Sequence, residues 1–192
     1  MARLLALIAE RAYFAGQFTL SSGKTSDYYL DARRVTLDPE GAWLVGRAMF
    51  ERLRQIEPDA VGGPTLGADP IATAVAIASH LAGAPIPAFI VRNQQKAHGR
   101  QRAVEGPFPP PKREGEDVGI RVAIVEDVIT TGGSIEKAIA AVEAEGCGVV
   151  MVLVAVDRQE GGLERLRAQG YAADALFTIA EVRAAAERVS SE

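Results

Sequence analysis

The stretch Val122-Ala123-Ile124-Val125-Glu126-Asp127-Val128-Ile129-Thr130-Thr131-Gly132-Gly133-Ser134 constrains this chain more than any other. Its four leading apolar residues read as a strand buried on both faces, as inside a parallel sheet. Two carboxylates follow at once, then threonines, glycines and a serine that enter a helix. Glycines let consecutive backbone N–H groups converge on one point, and a helix amino terminus adds partial positive charge. Thr130, Thr131 and Ser134 can donate hydroxyls to the same oxygens. The stretch therefore reads as a phosphate cradle, without the lysine of a P-loop or the spacing of a dinucleotide fingerprint. Its acids would repel a bare phosphate. A sugar explains them, because vicinal hydroxyls donate well to a carboxylate pair one sugar length from the phosphate. A Mg2+ ion bridging sugar and pyrophosphate oxygens would also be drawn there.

The rest of the chain sets this cradle in an α/β frame. Leu4, Leu5, Leu7 and Ile8 give residues 3–13 one apolar helical face, which Gly16 is expected to end. Short strands around 18–20 and 28–30 flank a turn. Asp38-Pro39-Glu40 opens a helix with an acid at the cap and proline in the first turn. Its face runs through Trp43, Val45, Met49, Phe50, Leu53 and Ile56. Strands then alternate with helices: strands at 59–62, 86–91, 120–125, 148–156 and 174–179, helices near 70–81, 134–145, 161–169 and 180–189. This is the pattern of βαβ units and a mostly parallel sheet covered on both faces. Ligands of such sheets bind where loops leave the carboxyl ends of the strands. Loops 62–69, 92–104, 126–134 and 157–161 occupy that place and hold most of the polar chemistry.

The chain has 192 residues, enough for one domain with a real core. Its net charge of −4 argues against a nucleic-acid surface, so any anion site needs local positive charge. Segment 92–102 supplies it, with Arg92, Lys96, Arg100 and Arg102 and no acid. Long polar loops in compact domains are functional or disordered, and a basic one can close over a phosphate ligand. His80 sits late in a helix and reads as structural. Cys147, the single cysteine, reads as a small buried residue, which suits a reducing, cytoplasmic setting. The first residues lack a signal-peptide pattern, and no stretch is apolar enough to span a membrane.

Residues 122–134 resemble the phosphoribosyl-pyrophosphate motif of the type I phosphoribosyltransferases. The resemblance implies that family's fold: a central, mostly parallel sheet flanked by helices, in a single domain over 1–192, with residues 1–35 forming a small N-terminal hood. It implies that Glu126 and Asp127 hold the ribose hydroxyls of phosphoribosyl pyrophosphate (PRPP), while Thr130, Thr131, Gly132, Gly133 and Ser134 hold its 5′-phosphate. Within the family, Phe18 to Tyr29 is similar to the start of the orotate-using enzymes. Gly63 to Ala72, Arg92 to Gly99 and Val156 to Gly162 resemble their pyrophosphate loop, mobile lid and D-R-x-E-G segment.

That resemblance implies transfer of the phosphoribosyl group to orotate in pyrimidine biosynthesis. Arg158 is expected to clamp the orotate carboxylate in a forked pair, with a salt bridge to Asp157 or Glu160 as its other reading. Thr130 and the backbone of Tyr28 and Tyr29 would read the pyrimidine edge, although plain hairpin packing suits one of the two tyrosines. Lys96, His98 and Arg92 are the candidates for catalysis on the leaving pyrophosphate. Mg2+ is the implied cofactor, held mainly through the PRPP oxygens, with Asp127 the side chain in reach. The family also implies a homodimer in which lid loop 92–104 is shared between subunits. Lysines customary at three positions are replaced here by Ser21, Gly67 and Asn93, and Arg100 and Arg102 are the expected compensation. Two other readings stay open: transfer to another base, and a non-catalytic PRPP-sensing regulator of the same fold.

Overall fold

A computed structural model describes residues 1–19, 25–92, 103–110 and 119–189. The elements in order are α1 (Ala2–Arg11), β1 (Tyr13–Thr19), β2 (Thr25–Leu30), α2 (Arg33–Thr36), α3 (Pro39–Leu53), β3 (Ala60–Pro64), α4 (Ala68–Leu81), β4 (Ala88–Val91), β5 (Val104–Glu105), β6 (Arg121–Ile129), α5 (Gly133–Ala144), β7 (Gly148–Asp157), α6 (Gly162–Ala168), β8 (Ala173–Thr178) and α7 (Ile179–Val189).

Six strands form one sheet in the order β5-β4-β3-β6-β7-β8. All its pairings are parallel except β4 with β5. The apolar run on β6 explains why this strand is central. Ala123 and Val125 face one core, with Val61, Leu153 and residues of α1, α3, α4 and α7. Val122 and Ile124 face the other, with Val152, Val154, Ile135, Ile139, Leu163 and Leu166. Period-two alternation thus buries both faces. Each such valine, leucine or isoleucine contributes about 1.5–3 kcal/mol through removal from water.

From β3 the chain proceeds to β4 on one side; from β6 it proceeds to β7 and β8 on the other. The switch point therefore lies between β3 and β6, where the carboxyl ends of both strands open a crevice. The hairpin β1–β2 forms a separate two-stranded sheet, and α1 packs against α7.

Several local expectations are corrected. Gly16 does not end α1, which stops at Arg11; Gly16 lies in β1 at φ 147°, where the register shifts between Ala15 and Phe18. A bulge needs such a residue as much as a helix end does. Helix α3 begins as expected, with Asp38 accepting from the N–H groups of Glu40 and Gly41, but stops at Leu53, short of Ile56. Trp43 is 44% exposed, beneath Arg47. Most consequentially, β6 runs to Ile129, because pairing with β7 continues to Ile129 opposite Asp157. Glu126 and Asp127 therefore stand on a strand rather than in a loop. Cys147 is buried, as anticipated.

Candidate active site

The extension of β6 carries both acids to the mouth of the crevice. Glu126 is 6% exposed. Its Oε2 accepts from Ser134 Oγ at 3.4 Å, and its Oε1 accepts from the Asp127 N–H at 3.2 Å. Asp127 Oδ1 accepts from the Val128 N–H at 2.7 Å. Burial, reinforced by the Asp127 charge, pushes the Glu126 carboxyl up to about 9. Burial also raises Asp127, against the pull of the Val128 N–H and the Arg33 guanidinium. The pair is short of positive charge and of donors, so sugar hydroxyls or a divalent cation suit it.

The turn expected to cradle a phosphate follows where β6 ends. Gly132 takes φ 85° at the amino end of α5, a left-handed conformation that favours glycine. Its carbonyl accepts the first helical bond, from Glu136 N–H at 2.9 Å. Thr130 and Ser134 line the same cavity as the acids, while Thr131, Gly132 and Gly133 form the turn itself.

Arg158, which lines the same cavity, follows β7. Its N–H donates to the Ile129 carbonyl at 3.0 Å, which ties it to the end of β6. Nε donates to the Tyr28 hydroxyl at 2.9 Å, and the guanidinium also lies 2.9 Å from Glu160 Oε1. Asp157 instead accepts from the Gln159 N–H, so of the two expected acidic partners Glu160 is the one engaged. Tyr28 is buried and stacks on Tyr13. Tyr29 is 40% exposed and packs on Phe14 and Phe18. Both rings therefore pack against β1, and the Tyr28 hydroxyl also meets Arg158.

Glu126, Asp127, Val128, Thr130, Ser134 and Arg158 line a cavity of about 440 Å³, with Leu30, Asp31, Ala32, Arg33 and the turn Thr65–Gly67. The turn was foreseen as part of loop 62–69. Asp31 and Arg33 were missed, because the short helix α2 has no apolar period; the adjacent Arg33-Arg34 pair was the one available signal. Arg92 pairs with Glu105 at 2.7 Å at the end of β4 and does not line this cavity. Lys96 and His98, like Ser21, Asn93, Arg100 and Arg102, lie outside the described residues.

A second groove of about 810 Å³ adjoins the first and shares Asp31, Arg33 and Leu66 with it. Leu37, Leu66 and Ile77 are exposed along it. Thr36 Oγ1 and Asp69 Oδ1 are buried there without a hydrogen-bond partner among the described residues. Among the described residues no cluster of three acids, histidines or cysteines has metal-site geometry, and no helix is long and apolar enough to cross a membrane.

Known proteins carry the same pattern. The profile of the phosphoribosyl transferase domain matches residues 34–169. An orotate phosphoribosyltransferase of Thermosynechococcus vestitus is 48% identical over 181 residues, covering 94% of this chain and 92% of its own. That of Aquifex aeolicus is 46% identical over 165 residues, 86% of each chain. Among solved structures, orotate phosphoribosyltransferase of Mycobacterium tuberculosis in complex with PRPP superposes with a TM-score of 0.75 at 38% identity, covering 94% of this chain and 97% of that one.

Proposed function

Because this chain belongs to the orotate phosphoribosyltransferases of the phosphoribosyl transferase domain family, we propose that its crevice joins orotate N1 to C1 of PRPP's ribose. It is a pentosyltransferase. The C1–O bond to pyrophosphate breaks as the N1–C1 bond forms, giving orotidine 5′-monophosphate and pyrophosphate. Orotate N1, having released its proton to solvent, supplies the electron pair, so no covalent nucleophile is needed.

The observation that carries this reading is the buried Glu126 and half-buried Asp127 beside Ser134, in one cavity with Arg158. The carboxylates take the ribose hydroxyls, and residues 130–134 take the 5′-phosphate. The C1 end then lies between the cradle wall and Arg158. Arg158 takes the orotate carboxylate in a forked, charge-assisted pair, for which it exchanges Glu160. Catalysis is positioning plus charge stabilisation of an oxocarbenium-like transition state. Mg2+, held mainly through the PRPP oxygens with the Asp127 carboxylate in reach, would neutralise charge on the leaving pyrophosphate. Lys96, His98 and Arg92 act on the same leaving group from lid 92–104.

The working unit is a cytoplasmic homodimer in which each lid serves its neighbour's site. The groove of Leu37, Leu66 and Ile77, contiguous with the cavity, supports a partner seated beside the site. Residues 1–35 form the hood over the base.

The decisive measurement is loss of orotate ultraviolet absorbance on adding PRPP, with and without Mg2+. A Mg2+-dependent decrease that Arg158→Ala abolishes is the expected result. No decrease with PRPP still bound would move the function to another base or to a regulator.

A further inference from the structure

The diphosphate of PRPP brings the largest charge into this crevice, and the described residues narrow down what meets it. A chain of interactions leads away from residues 130–134. Ser134 touches Glu126, Glu126 touches Asp127, and Asp127 in turn feels the Arg33 guanidinium. With the 5′-phosphate on residues 130–134 and the ribose on the carboxylates, the C1 diphosphate faces the part of the cavity beyond Asp127. Two segments border this end, the turn Thr65–Gly67 and the start of α2.

The turn cannot bring a cation there. A Cβ at Gly67 would lie 2.5 Å from Asp127 Oδ1 and would also collide with Glu126 Oε1. The helix that follows opens with an acid, Asp69. Among the described residues lining the cavity, Arg33 and Arg158 carry the positive charge. Arg158 has a side chain only 13% exposed, held by Tyr28 and Glu160. Arg33 differs. Its Nε and its backbone N–H both donate to Asp31 Oδ1, at 2.8 and 3.3 Å. Within the described residues only Nε of its guanidinium is hydrogen-bonded, and the side chain is 47% exposed. The planar fork therefore keeps its outer N–H pair for a ligand, a geometry that suits phosphate oxygens.

We propose that Arg33, aimed by Asp31, binds the diphosphate of PRPP at the end of the crevice that Gly67 leaves without a side chain. This rests on the phosphoribosyl-transfer reading above. The competing account is an exposed Asp31–Arg33 pair with no ligand role.

Arg33→Ala and Arg33→Lys test it against wild type, with calorimetric titrations of PRPP, inorganic pyrophosphate and ribose 5-phosphate, and with KM for both substrates. In Arg33→Ala, PRPP and pyrophosphate are expected to bind about tenfold more weakly, the scale of one charge-assisted hydrogen bond. Ribose 5-phosphate affinity and orotate KM should move by less than about twofold, and Arg33→Lys should recover part of the loss. Unchanged PRPP and pyrophosphate affinity overturns the proposal. So does an equal loss for ribose 5-phosphate, which would mean a general collapse of the site. A wild-type protein that binds PRPP without consuming orotate removes the base assignment alone, and the titrations still decide on Arg33.

Discussion

The Tyr28 hydroxyl accepts a hydrogen bond from Arg158 Nε at 2.9 Å, joining residues 130 positions apart. The Arg158 guanidinium also lies over the Tyr28 ring, 4.9 Å from its centre, and Arg183 of α7 lies 5.2 Å from the same ring. The hairpin thereby orients the guanidinium assigned to orotate. Tyr28→Phe keeps the ring and removes the acceptor. Orotate KM is expected to rise about fivefold, because the guanidinium keeps Glu160 and the lost bond is worth about 1 kcal/mol. PRPP KM should stay level in the same steady-state series; an equal rise in both would disconnect Tyr28 from the base.

Glu126 gives a pH dependence whose sign is fixed. Its folded value of about 9 stands above its ordinary 4.5, so the folded state binds a proton that the unfolded state has lost between those values. Stability due to this group is therefore full below 4.5 and falls as pH rises toward 9. Glu126→Gln removes the dependence. Its melting temperature is expected to exceed that of the wild type at pH 8 by about 2–5 °C, with the gap closing at pH 5. Turnover should be lost, because a carboxylate for the ribose is gone. Thermal melts of both proteins across that range, without ligand, provide the check; parallel curves would count against a proton-linked Glu126.

Gly132, at φ 85°, turns the cradle into α5. Alanine there is strained by its backbone rather than by its neighbours, whose nearest atom would be 3.5 Å away. Gly132→Ala is expected to cost about 1–2 kcal/mol of stability and to raise PRPP KM, while Gly132→Asn, which tolerates left-handed φ, recovers part of the stability. Urea titration and kinetics together separate the two effects.

A shared site makes a mixing prediction. Lys96→Ala and Asp127→Asn chains are each expected to be nearly inactive alone. Randomly mixed dimers should regain roughly a quarter of wild-type activity, since half the dimers are hybrids with one of two sites intact. Mass spectrometry confirms hybrid formation, and hybrids without activity would show that each lid serves its own subunit.

The contiguous features of this protein were legible in its sequence. The β6 run, the glycine turn at 130–134, the Asp38 cap and the alternation of strands and helices each depend on residues close in the chain. Their chemistry and periodicity suffice to read them. The family resemblance rested on the same contiguous motifs. What only the tertiary structure decided involves residues far apart. Pairing with β7 lengthened β6 and moved Glu126 and Asp127 from loop to strand. The bulge of the β1–β2 hairpin, not a helix end, claimed Gly16. The position of Arg33 beside Asp127 and of Tyr28 beside Arg158 follows from packing α2 and the hairpin against the sheet, for which no local period exists. Local sequence sets which elements form; the charges and hydrogen bonds of the crevice arise where distant elements meet, and that is a property of the packed chain.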